Sequence, residues 1–367
     1  MRRVLRPCRS YVEISRAAIA SNYRAVRDLV GPAGVIGVVK ADAYGHGALE
    51  VARVLEREGI QWLAVSSVEE GVALRGAGIG TRILVMAGVM AWERGAVREY
   101  RLTPVLHSLR ELRDFAGMNV HLKLDTGMSR LGTAACAGEI AEALRDAPST
   151  RLEGLLSHFA SAADLSGGQT PEQIRQFHAL VKSLQELGIR PRLLHFSSSN
   201  AVAYPRRDAW LSLVRPGHAI YGYLSPAVEA PALQVRPALS WYARIIETKE
   251  IAAGTKVGYG GTYVARQPMK IAVIAAGYAD GIPHRLSNRG KVIAGGKFAP
   301  MIGTVSMDLT TIDITASPHL CPGDVVTLLG SEGGVSLDAQ QIARLAGTIS
   351  YTVLTGIRSR VKRYYTD

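Results

Sequence analysis

The residue best suited to chemistry is Lys40, which follows a β-branched apolar run at 35–39 and precedes a glycine-rich turn at 44–47. Such a run predicts a strand buried on both faces of a parallel sheet. An amine at the carboxyl end of that strand loses hydration, which favours the neutral, nucleophilic form that makes an imine with an aldehyde. The turn predicts a helix from about Ala48, and the free N–H groups of a helix start suit a phosphate. Amine and anion site together suggest pyridoxal 5'-phosphate.

The stretch around this lysine reads Val38-Val-Lys-Ala-Asp-Ala-Tyr-Gly-His-Gly47. Taken alone, it fits equally well a lysine that extends from a strand end and glycines that only form a turn. It resembles the cofactor-lysine signature of bacterial alanine racemases, and further motifs extend the resemblance over nearly the whole chain. The resemblance implies that Lys40 holds the cofactor and that Tyr44 contacts it.

A second motif, His121-Leu-Lys-Leu-Asp-Thr-Gly-Met-Ser-Arg-Leu-Gly132, presents Arg130 after a predicted strand and a glycine turn. By itself this is equally a solvated turn arginine. The motif resembles the segment that supplies an active-site arginine in the family. That implies a place for Arg130 near the cofactor's ring oxygen and the substrate carboxylate, which a planar donor suits. It also makes Lys123 a candidate for carbamylation that would hold the arginine.

Three motifs follow later predicted strands. His158, in Leu156-Ser-His-Phe-Ala160, is either a core histidine or, by the resemblance, packs against the pyridine ring. The segment His195-Phe-Ser-Ser-Ser-Asn-Ala201 resembles the phosphate-binding turn, which implies that Ser199 binds phosphate. In Val214-Arg-Pro-Gly-His-Ala-Ile-Tyr-Gly222, Arg215 would face the pyridine nitrogen and Gly217 would offer its N–H to the phosphate. Asp164 lies where this chain carries one more residue than the common pattern, and no role is assigned to it.

Arg215 discriminates among the pyridoxal chemistries. A guanidinium stays protonated at any working pH, so a ring nitrogen that faces it must accept a hydrogen bond and remain unprotonated. The ring is then a weaker electron sink, which still allows proton loss at Cα and suppresses the misdirected protonation that leads to transamination. An acidic residue there would instead favour the protonated ring. The arginine therefore favours a racemase over a decarboxylase.

Racemisation needs a base on each face of the planar carbon, and Lys40 can serve only one. The segment Val257-Gly-Tyr-Gly-Gly-Thr-Tyr263 resembles the family stretch whose tyrosine is the second base, which implies that role for Tyr259. By itself the segment is an aromatic residue in a glycine-flanked turn. A tyrosine with an ordinary pKa of roughly 10 needs nearby positive charge to act near neutral pH, and we expect Arg130 and His158 to provide it.

The remaining motifs concern the substrate side of the site. By the resemblance, Tyr278 lines the substrate channel, Met307 and Asp308 lie beside the substrate carboxylate, and Tyr351 points toward the phosphate; Met307 also fits a core position. His284 stands where the family often has an arginine, which leaves the substrate range open. The family's architecture implies that Tyr259 and these substrate-side residues come from the partner subunit of a homodimer.

The elements that must position these residues follow from the chain's periodicity. Up to about residue 223, eight short apolar runs alternate with amphipathic stretches, which predicts an α/β fold of the (β/α)8 TIM-barrel type. The predicted strands are 35–40, 62–65, 83–86, 104–107, 120–124, 152–158, 193–196 and 211–214, with helices at 49–58, 68–76, 91–100 and 172–187. Chemistry in such barrels lies at the carboxyl ends of the strands, where all the amino-terminal candidates fall.

Past Tyr223, short β-rich segments alternate with glycine turns. Those at 243–251, 271–275, 291–293, 301–305 and 325–329 predict a mostly antiparallel β domain with one helix at about 338–346. An extended piece at 11–14 precedes the first helix, and the resemblance implies that the first residues join the β domain. We therefore expect a barrel at 12–232 and a β domain of residues 1–11 and 233–367.

Composition narrows the classes of partner. With 43 basic and 31 acidic residues the net charge is +12, which suits nucleic acid, a membrane surface or an anionic ligand. The basic residues are scattered, so an anionic ligand ranks above DNA or RNA. Three distant cysteines predict a reducing compartment and no metal site. We find neither an export signal nor an apolar run of roughly 18 residues, and expect a cytoplasmic location.

The resemblance implies an isomerase of the alanine racemase type. Such an enzyme interconverts L-alanine and D-alanine by two-base proton transfer, works as a homodimer and supplies D-alanine for peptidoglycan. The alternatives are a racemase of broader specificity, a related pyridoxal-phosphate decarboxylase, a pyridoxal-phosphate carrier protein, which should lack the second domain, and a nucleic-acid binder suggested by the net charge.

Overall fold

The computed structural model describes residues 6–164, 166–204, 206–225 and 230–367. It contains two compact units. One comprises residues 18–43 and 47–236, and the other comprises the described part of Met1–Ala17 with residues 44–46 and 237–367. None of the helices in these described ranges is long and apolar enough to span a membrane.

The strands in chain order are β1 Ser10–Ser15, β2 Gly34–Val38, β3 Trp62–Val65, β4 Arg82–Val85, β5 Thr103–Leu106, β6 Asn119–Lys123, β7 Arg151–Leu156, β8 Leu193–Ser198, β9 Leu213–Arg215, β10 Leu239–Ile251, β11 Lys256–Val257, β12 Tyr263–Val264, β13 Met269–Ile274, β14 Lys291–Ala294, β15 Lys297–Pro300, β16 Thr310–Asp313, β17 Val325–Glu332, β18 Val335–Leu337 and β19 Lys362–Thr366.

The helices are α1 Arg16–Val30, α2 Lys40–Tyr44, α3 Ala48–Arg57, α4 Val68–Gly76, α5 Arg94–Glu99, α6 Ala137–Arg145, α7 Gln169–Glu186, α8 Ser199–Ala203, α9 Ala339–Ala346 and α10 Ser350–Thr355. Short 3₁₀ segments lie at Ala91–Glu93, Leu109–Phe115, Arg207–Ala209, Tyr259–Gly261 and His284–Leu286.

Strands β2 to β9 close into a barrel in which every neighbouring pair is parallel. The apolar runs of the sequence are buried in it, as expected for parallel strands covered on both faces. The predicted (β/α)8 barrel is therefore confirmed. One detail differs: β2 ends at Val38, and Lys40 opens helix α2 instead of ending the strand.

The outer helices are amphipathic. Helix α7 buries Ile174, Phe177, Val181 and Leu184, which recur every three or four residues and so form one apolar stripe. The predicted helix at 91–100 is divided into a 3₁₀ turn and the short helix α5. Helix α3 begins at Ala48, as the glycine turn before it predicts.

The second unit is built on a nine-stranded sheet with strand order β15-β14-β17-β10-β1-β19, to which β13, β16 and β18 add. Its pairs are antiparallel except for β1 with β19, which confirms the mostly antiparallel β domain. Strand β1 pairs with β10 and β19, so the whole of β1 lies in this unit. The chain passes from one unit to the other after Ala17 and after Arg236, and residues 44–46 also belong to the β unit.

One predicted strand of this unit, 301–305, is wrong. Met301 forms only an isolated bridge to Ile312, and Gly303 has a φ of +75°, a left-handed conformation that breaks an extended strand. The predicted helix at 338–346 is confirmed, because Asp338 caps it by accepting from the Gln341 N–H and Gly347 ends it at a φ of +64°.

Candidate active site

Lys40 lies at the start of an unusual left-handed turn. The next four residues, 41–44, have φ angles between 52° and 56°, a conformation that costs about 1–2 kcal/mol for each non-glycine residue. Hydrogen bonds from outside the turn hold it. The Ala41 N–H donates to Glu70 Oε1 of helix α4 at 2.6 Å, and Asp42 accepts from the Gly47 N–H and, through Oδ1, from the Ala48 N–H that opens α3. This clamp fixes where Lys40 leaves the backbone.

The surroundings of Lys40 favour its neutral amine. Burial lowers the pKa of Lys40, the charges of Arg130 and Arg215 lower this pKa further, and Glu70 opposes the shift. This direction is the one that a nucleophilic or proton-accepting lysine requires.

Lys123, the last residue of β6, is buried and is affected by the same two arginines as Lys40. Burial, together with Arg130, Arg215 and Lys40, lowers the pKa of Lys123 to about 8, against the opposing charge of Asp125. A large part of this side chain is therefore neutral near pH 8. Carbamylation requires the neutral amine, so the site suits the modification expected for Lys123.

Arg130 follows a loop that one carboxylate organises. Asp125 Oδ1 accepts from the N–H groups of residues 127, 128 and 129, each at 3.0 Å, and Gly132 lies so close to the backbone that a β-carbon there would be 2.9 Å from the Asp125 nitrogen. Arg130 itself is exposed, and in the described ranges no carboxylate lies within ion-pair distance of its guanidinium. It remains available to an anionic group of a ligand.

Arg215 ends β9 and is buried, with both terminal nitrogens occupied. Nη1 donates to the His195 carbonyl and faces His195 Nδ1, while Nη2 donates to the carbonyls of Ser157 and Phe196. Burial lowers the pKa of Arg215 to about 10, which leaves it charged at neutral pH. Among the described residues, no hydrogen-bond acceptor is found for Nε, so its N–H is the donor left for a ligand.

His158 lies beside this guanidinium and is uncharged. Its Nδ1 is 3.3 Å from Arg215 Nη2, and burial together with the charges of Arg215, Lys123, Arg130 and Lys40 lowers the pKa of His158 to about 3. The expectation that His158 supplies positive charge is therefore wrong, because burial first and its basic neighbours second disfavour the protonated ring. Gln173, buried on α7, fixes this segment by donating to the His158 carbonyl and accepting from the Ala160 N–H. This glutamine lies on the predicted helix at 172–187, and no motif of the sequence marks it as a site residue.

Ser199 and Gly217 are brought together at the ends of β8 and β9. The N–H groups of Gly217 and Ala219 converge on Ser199 Oγ at 3.0 and 3.1 Å. Here both N–H groups donate to Oγ, so the hydroxyl hydrogen of Ser199 is the donor left for a phosphate, and a bound phosphate would have to replace Oγ as the acceptor of the two N–H groups. Asp164 instead serves its own loop, where Oδ1 accepts from the N–H groups of Ser166 and Gly167.

The barrel residues as a set fit pyridoxal phosphate. The amine, the guanidinium N–H and the convergent hydroxyl and N–H groups all follow strands whose carboxyl ends lie at one end of the barrel. They match the aldehyde, the ring nitrogen and the phosphate of the cofactor in chemical type. Within the described ranges, no three His, Cys, Asp or Glu side chains are grouped to hold a metal.

In the other unit, Tyr44 packs against Tyr351 of α10, with ring centroids 5.9 Å apart. Burial, and then Tyr351, raise the pKa of Tyr44, so its phenol stays protonated. The adjacent Gly45 has a φ of +83°, and a β-carbon there would lie 2.4 Å from the Leu354 carbonyl oxygen. The turn therefore requires glycine where it meets α10.

The substrate-side candidates of this unit are exposed. Tyr259 is 76% exposed, Tyr278 41% and Met307 54%, so the core position for Met307 is excluded. Two of their loops are joined by hydrogen bonds from the Tyr278 N–H to the Ser306 carbonyl and from the Ala279 N–H to the Met307 carbonyl.

Asp308 pairs with Arg360, with 2.9 Å between Oδ1 and Nη1, and the same arginine pairs with Asp280. The His284 ring lies 6.2 Å from that of Tyr278. These contacts place Asp308 in a local charge cluster and His284 beside the expected channel residue.

Models of known protein families match the barrel and the β domain of this chain. The family model for "Alanine racemase, N-terminal domain" matches residues 14–225, and that for "Alanine racemase, C-terminal domain" matches residues 238–365. An alanine racemase of Sorangium cellulosum is 39% identical over 99% of this chain and 100% of its own length.

Solved structures of alanine racemases also match this chain. The crystal structure of alanine racemase from Streptomyces lavendulae superposes with a TM-score of 0.91 at 32% identity, covering 99% of this chain and 98% of the other. That of alanine racemase from Bartonella henselae, with covalently bound pyridoxal phosphate, gives 0.87 at 28% identity, covering 98% and 100%. On these matches over both domains, the chain belongs to the alanine racemase family.

Proposed function

We propose that this chain interconverts L-alanine and D-alanine, with pyridoxal 5'-phosphate held by Lys40, Ser199, Arg215 and Gly217. The observation that carries the proposal is the buried Arg215, whose terminal nitrogens are occupied and whose Nε–H remains for a ring nitrogen. Such a donor keeps the ring nitrogen unprotonated, which suits proton exchange at Cα better than decarboxylation or transamination. Tyr44, His158 and Tyr351 complete the proposed cofactor contacts.

When bound, pyridoxal phosphate supplies the electron-withdrawing system that makes the substrate Cα–H acidic. Lys40 Nζ, whose lowered pKa favours the neutral amine, takes or returns the proton on one face. Tyr259 Oη serves the other face. Because His158 is neutral, Arg130 is the residue proposed to supply positive charge beside Tyr259.

Arg130 orients the substrate through its carboxylate. A planar guanidinium binds a carboxylate with two parallel hydrogen bonds, and this one has no carboxylate partner in the described ranges. Carbamylation of Lys123 would turn a repelling cation into an anion and hold the arginine in place. Met307, Asp308 and Tyr278 shape the substrate pocket in this proposal.

The enzyme is proposed to act as a homodimer with shared active sites. Tyr259, Tyr278 and Met307 are exposed on the β unit although two of them are aromatic and the third is apolar. Exposed apolar groups of this kind mark binding surfaces. A second copy of the chain would cover them and bring Tyr259 of the partner subunit to the barrel site.

The physiological role proposed is the supply of D-alanine for peptidoglycan in the cytoplasm. Support comes from the family and from the cysteines, since Cys8, Cys136 and Cys321 are all free thiols, as a reducing compartment allows.

The test begins with an absorbance spectrum of the purified protein with pyridoxal phosphate, before and after borohydride, and mass analysis of the reduced peptide. L-Alanine is then added and D-alanine is measured by a chiral assay. The proposal expects the cofactor on Lys40 and D-alanine as product. Carbon dioxide as product would indicate a decarboxylase, and faster turnover of serine, lysine or arginine would indicate a broader racemase. No alanine turnover would indicate a carrier, and no bound cofactor would overturn the proposal.

A further inference from the structure

Two fully buried histidines inside the barrel take no part in the chemistry described so far. His195 on β8 and His121 on β6 are both 0% exposed, and their rings meet with His195 Nε2 and His121 Nδ1 only 2.7 Å apart. His195 Nδ1 in turn lies 2.9 Å from Arg215 Nη1. The two imidazoles thus extend inward from the arginine that faces the candidate cofactor site.

The proton positions along this chain of hydrogen-bonded side chains follow from one fact. A guanidinium can only donate, so His195 Nδ1 must accept and must carry no proton. The proton of neutral His195 is then on Nε2, from which it is donated to His121 Nδ1. His121 must carry its own proton on Nε2, which lies 3.7 Å from Glu153 Oε2, beyond hydrogen-bond distance, and finds no hydrogen-bond partner among the described residues. The two hydrogen bonds, from Arg215 to His195 and from His195 to His121, therefore point the same way, toward the side where the Glu153 carboxylate lies.

The carboxylate that faces the far end of the chain is itself held in place. Glu153 on β7 accepts from both terminal nitrogens of Arg82, at 2.9 and 2.5 Å, and from Arg192 at 2.8 Å. Its side chain is only 8% exposed. Although burial opposes the shift, the neighbouring His121 and the hydrogen-bonded Arg82 hold the pKa of Glu153 below its usual range, so it remains a carboxylate.

Close neighbours surround the His121 ring. The centroid of the Trp62 ring lies 5.4 Å from that of the His121 ring. The guanidinium carbon of Arg82 lies 3.8 Å from the centroid of the same Trp62 ring. On the neighbouring strand, residue 154 is a glycine, and a β-carbon there would lie 2.6 Å from His121 Nδ1. The barrel interior is thus shaped around this imidazole.

We propose that His195 and His121 are positioning residues, which hold the guanidinium of Arg215 by a one-way chain of hydrogen bonds that ends at a ring facing the carboxylate of Glu153. The chain keeps an acceptor against Nη1 and so prevents the buried guanidinium from rotating away from the cofactor side. The tautomers follow from the structure alone, whereas the consequence for the reaction rests on the proposed function.

The first test is direct and needs no cofactor. Nitrogen-15 NMR of the histidine-labelled, cofactor-free protein at neutral pH separates protonated from bare ring nitrogens. We expect bare Nδ1 and protonated Nε2 on both histidines, assigned from the signals that disappear in His195→Asn and His121→Asn. A protonated Nδ1 on either histidine overturns the proposal.

The second test distinguishes a positioning role of the His121 ring from a role in filling space. His121→Asn keeps an acceptor oxygen near the place of Nδ1, whereas His121→Leu removes it and leaves the His195 N–H unmet. We expect kcat for racemisation to fall roughly tenfold in His121→Leu with an almost unchanged KM, and His121→Asn to retain most of the activity. In His121→Leu, spectra should also show faster loss of the cofactor to its aminated form, because Arg215 holds the ring nitrogen less well.

His178→Leu is the matched control, since His178 is exposed on α7, and it should behave as wild type. Equal loss in His121→Asn and His121→Leu, without faster cofactor loss, would mean that the imidazole only fills space and would overturn the proposal. An inactive wild type would instead count against the proposed function and leave the tautomer measurement valid. If His121→Leu does not fold, the NMR result on the wild type still decides.

Discussion

Glu70 holds the left-handed turn after Lys40, and Glu70→Gln tests how much the site depends on it. The four non-glycine residues of that turn cost about 4–8 kcal/mol together. Glu70 opposes this cost with two short bonds, from the Ala41 N–H at 2.6 Å and from the Ser66 N–H at 2.7 Å. Glutamine keeps one acceptor and turns an NH₂ group toward the other N–H. We expect a loss of about 2–3 kcal/mol, the value of one charge-assisted bond and an unmet donor.

The same change acts on Lys40 with a definite sign. Glu70 raises the pKa of Lys40 against burial and the two arginines, so its neutralisation should move this pKa further down. The assays are equilibrium urea unfolding, hydrogen exchange at the Ala41 amide, and the pH dependence of acylation of Lys40 in the cofactor-free protein. The midpoint of acylation should move to lower pH, and the Ala41 amide should exchange faster.

Glu69→Gln is the matched control, because Glu69 is exposed on the same helix and, among the described residues, no hydrogen bond is found from its side chain to the turn. It should change the stability by less than about 0.5 kcal/mol and leave Lys40 unaltered. If Glu70→Gln behaves like Glu69→Gln in all three assays, the turn is held by other contacts and the reasoning fails.

Three further predictions concern single positions. Gly45→Ala should destabilise the protein by about 2–4 kcal/mol in urea unfolding, because it combines a positive φ with a β-carbon 2.4 Å from a carbonyl oxygen. The control is Gly59→Ala, where φ is +81° but the space around the β-carbon is open, and it should cost only about 1 kcal/mol. Equal losses in the two variants would refute the steric argument. Tyr259→Phe should lower racemisation by about 10²-fold or more in both directions while the cofactor still binds; unchanged turnover would remove this tyrosine as a base. Carbamylation of Lys123, measured by NMR with ¹³C-bicarbonate at a fixed carbon dioxide concentration, should increase as the pH rises through about 8, and a signal independent of pH would contradict the assigned environment.

The sequence alone was sufficient for the local features of this chain. The β-branched runs and the 3.6-residue stripes predict the barrel because each element's burial pattern is written in its own residues. The start of α3 at Ala48 and the capped helix at 338–346 follow equally from nearby glycine and aspartate. The family motifs additionally name Lys40, Arg215 and Tyr259, whose roles stay predictions.

Other features depend on partners distant in the sequence, and only the tertiary structure decided them. Only Asp42 among residues 41–44 is of a type that adopts the left-handed conformation readily, and the Ala41 N–H of this turn donates to Glu70 on another helix. His158 is neutral because it is buried and because basic side chains from separate strands and loops lie around it, which its sequence motif does not show. The inward chain from Arg215 likewise joins β6, β7, β8 and β9. Charge and hydrogen bonding act through space, so their outcome is fixed only when the barrel closes.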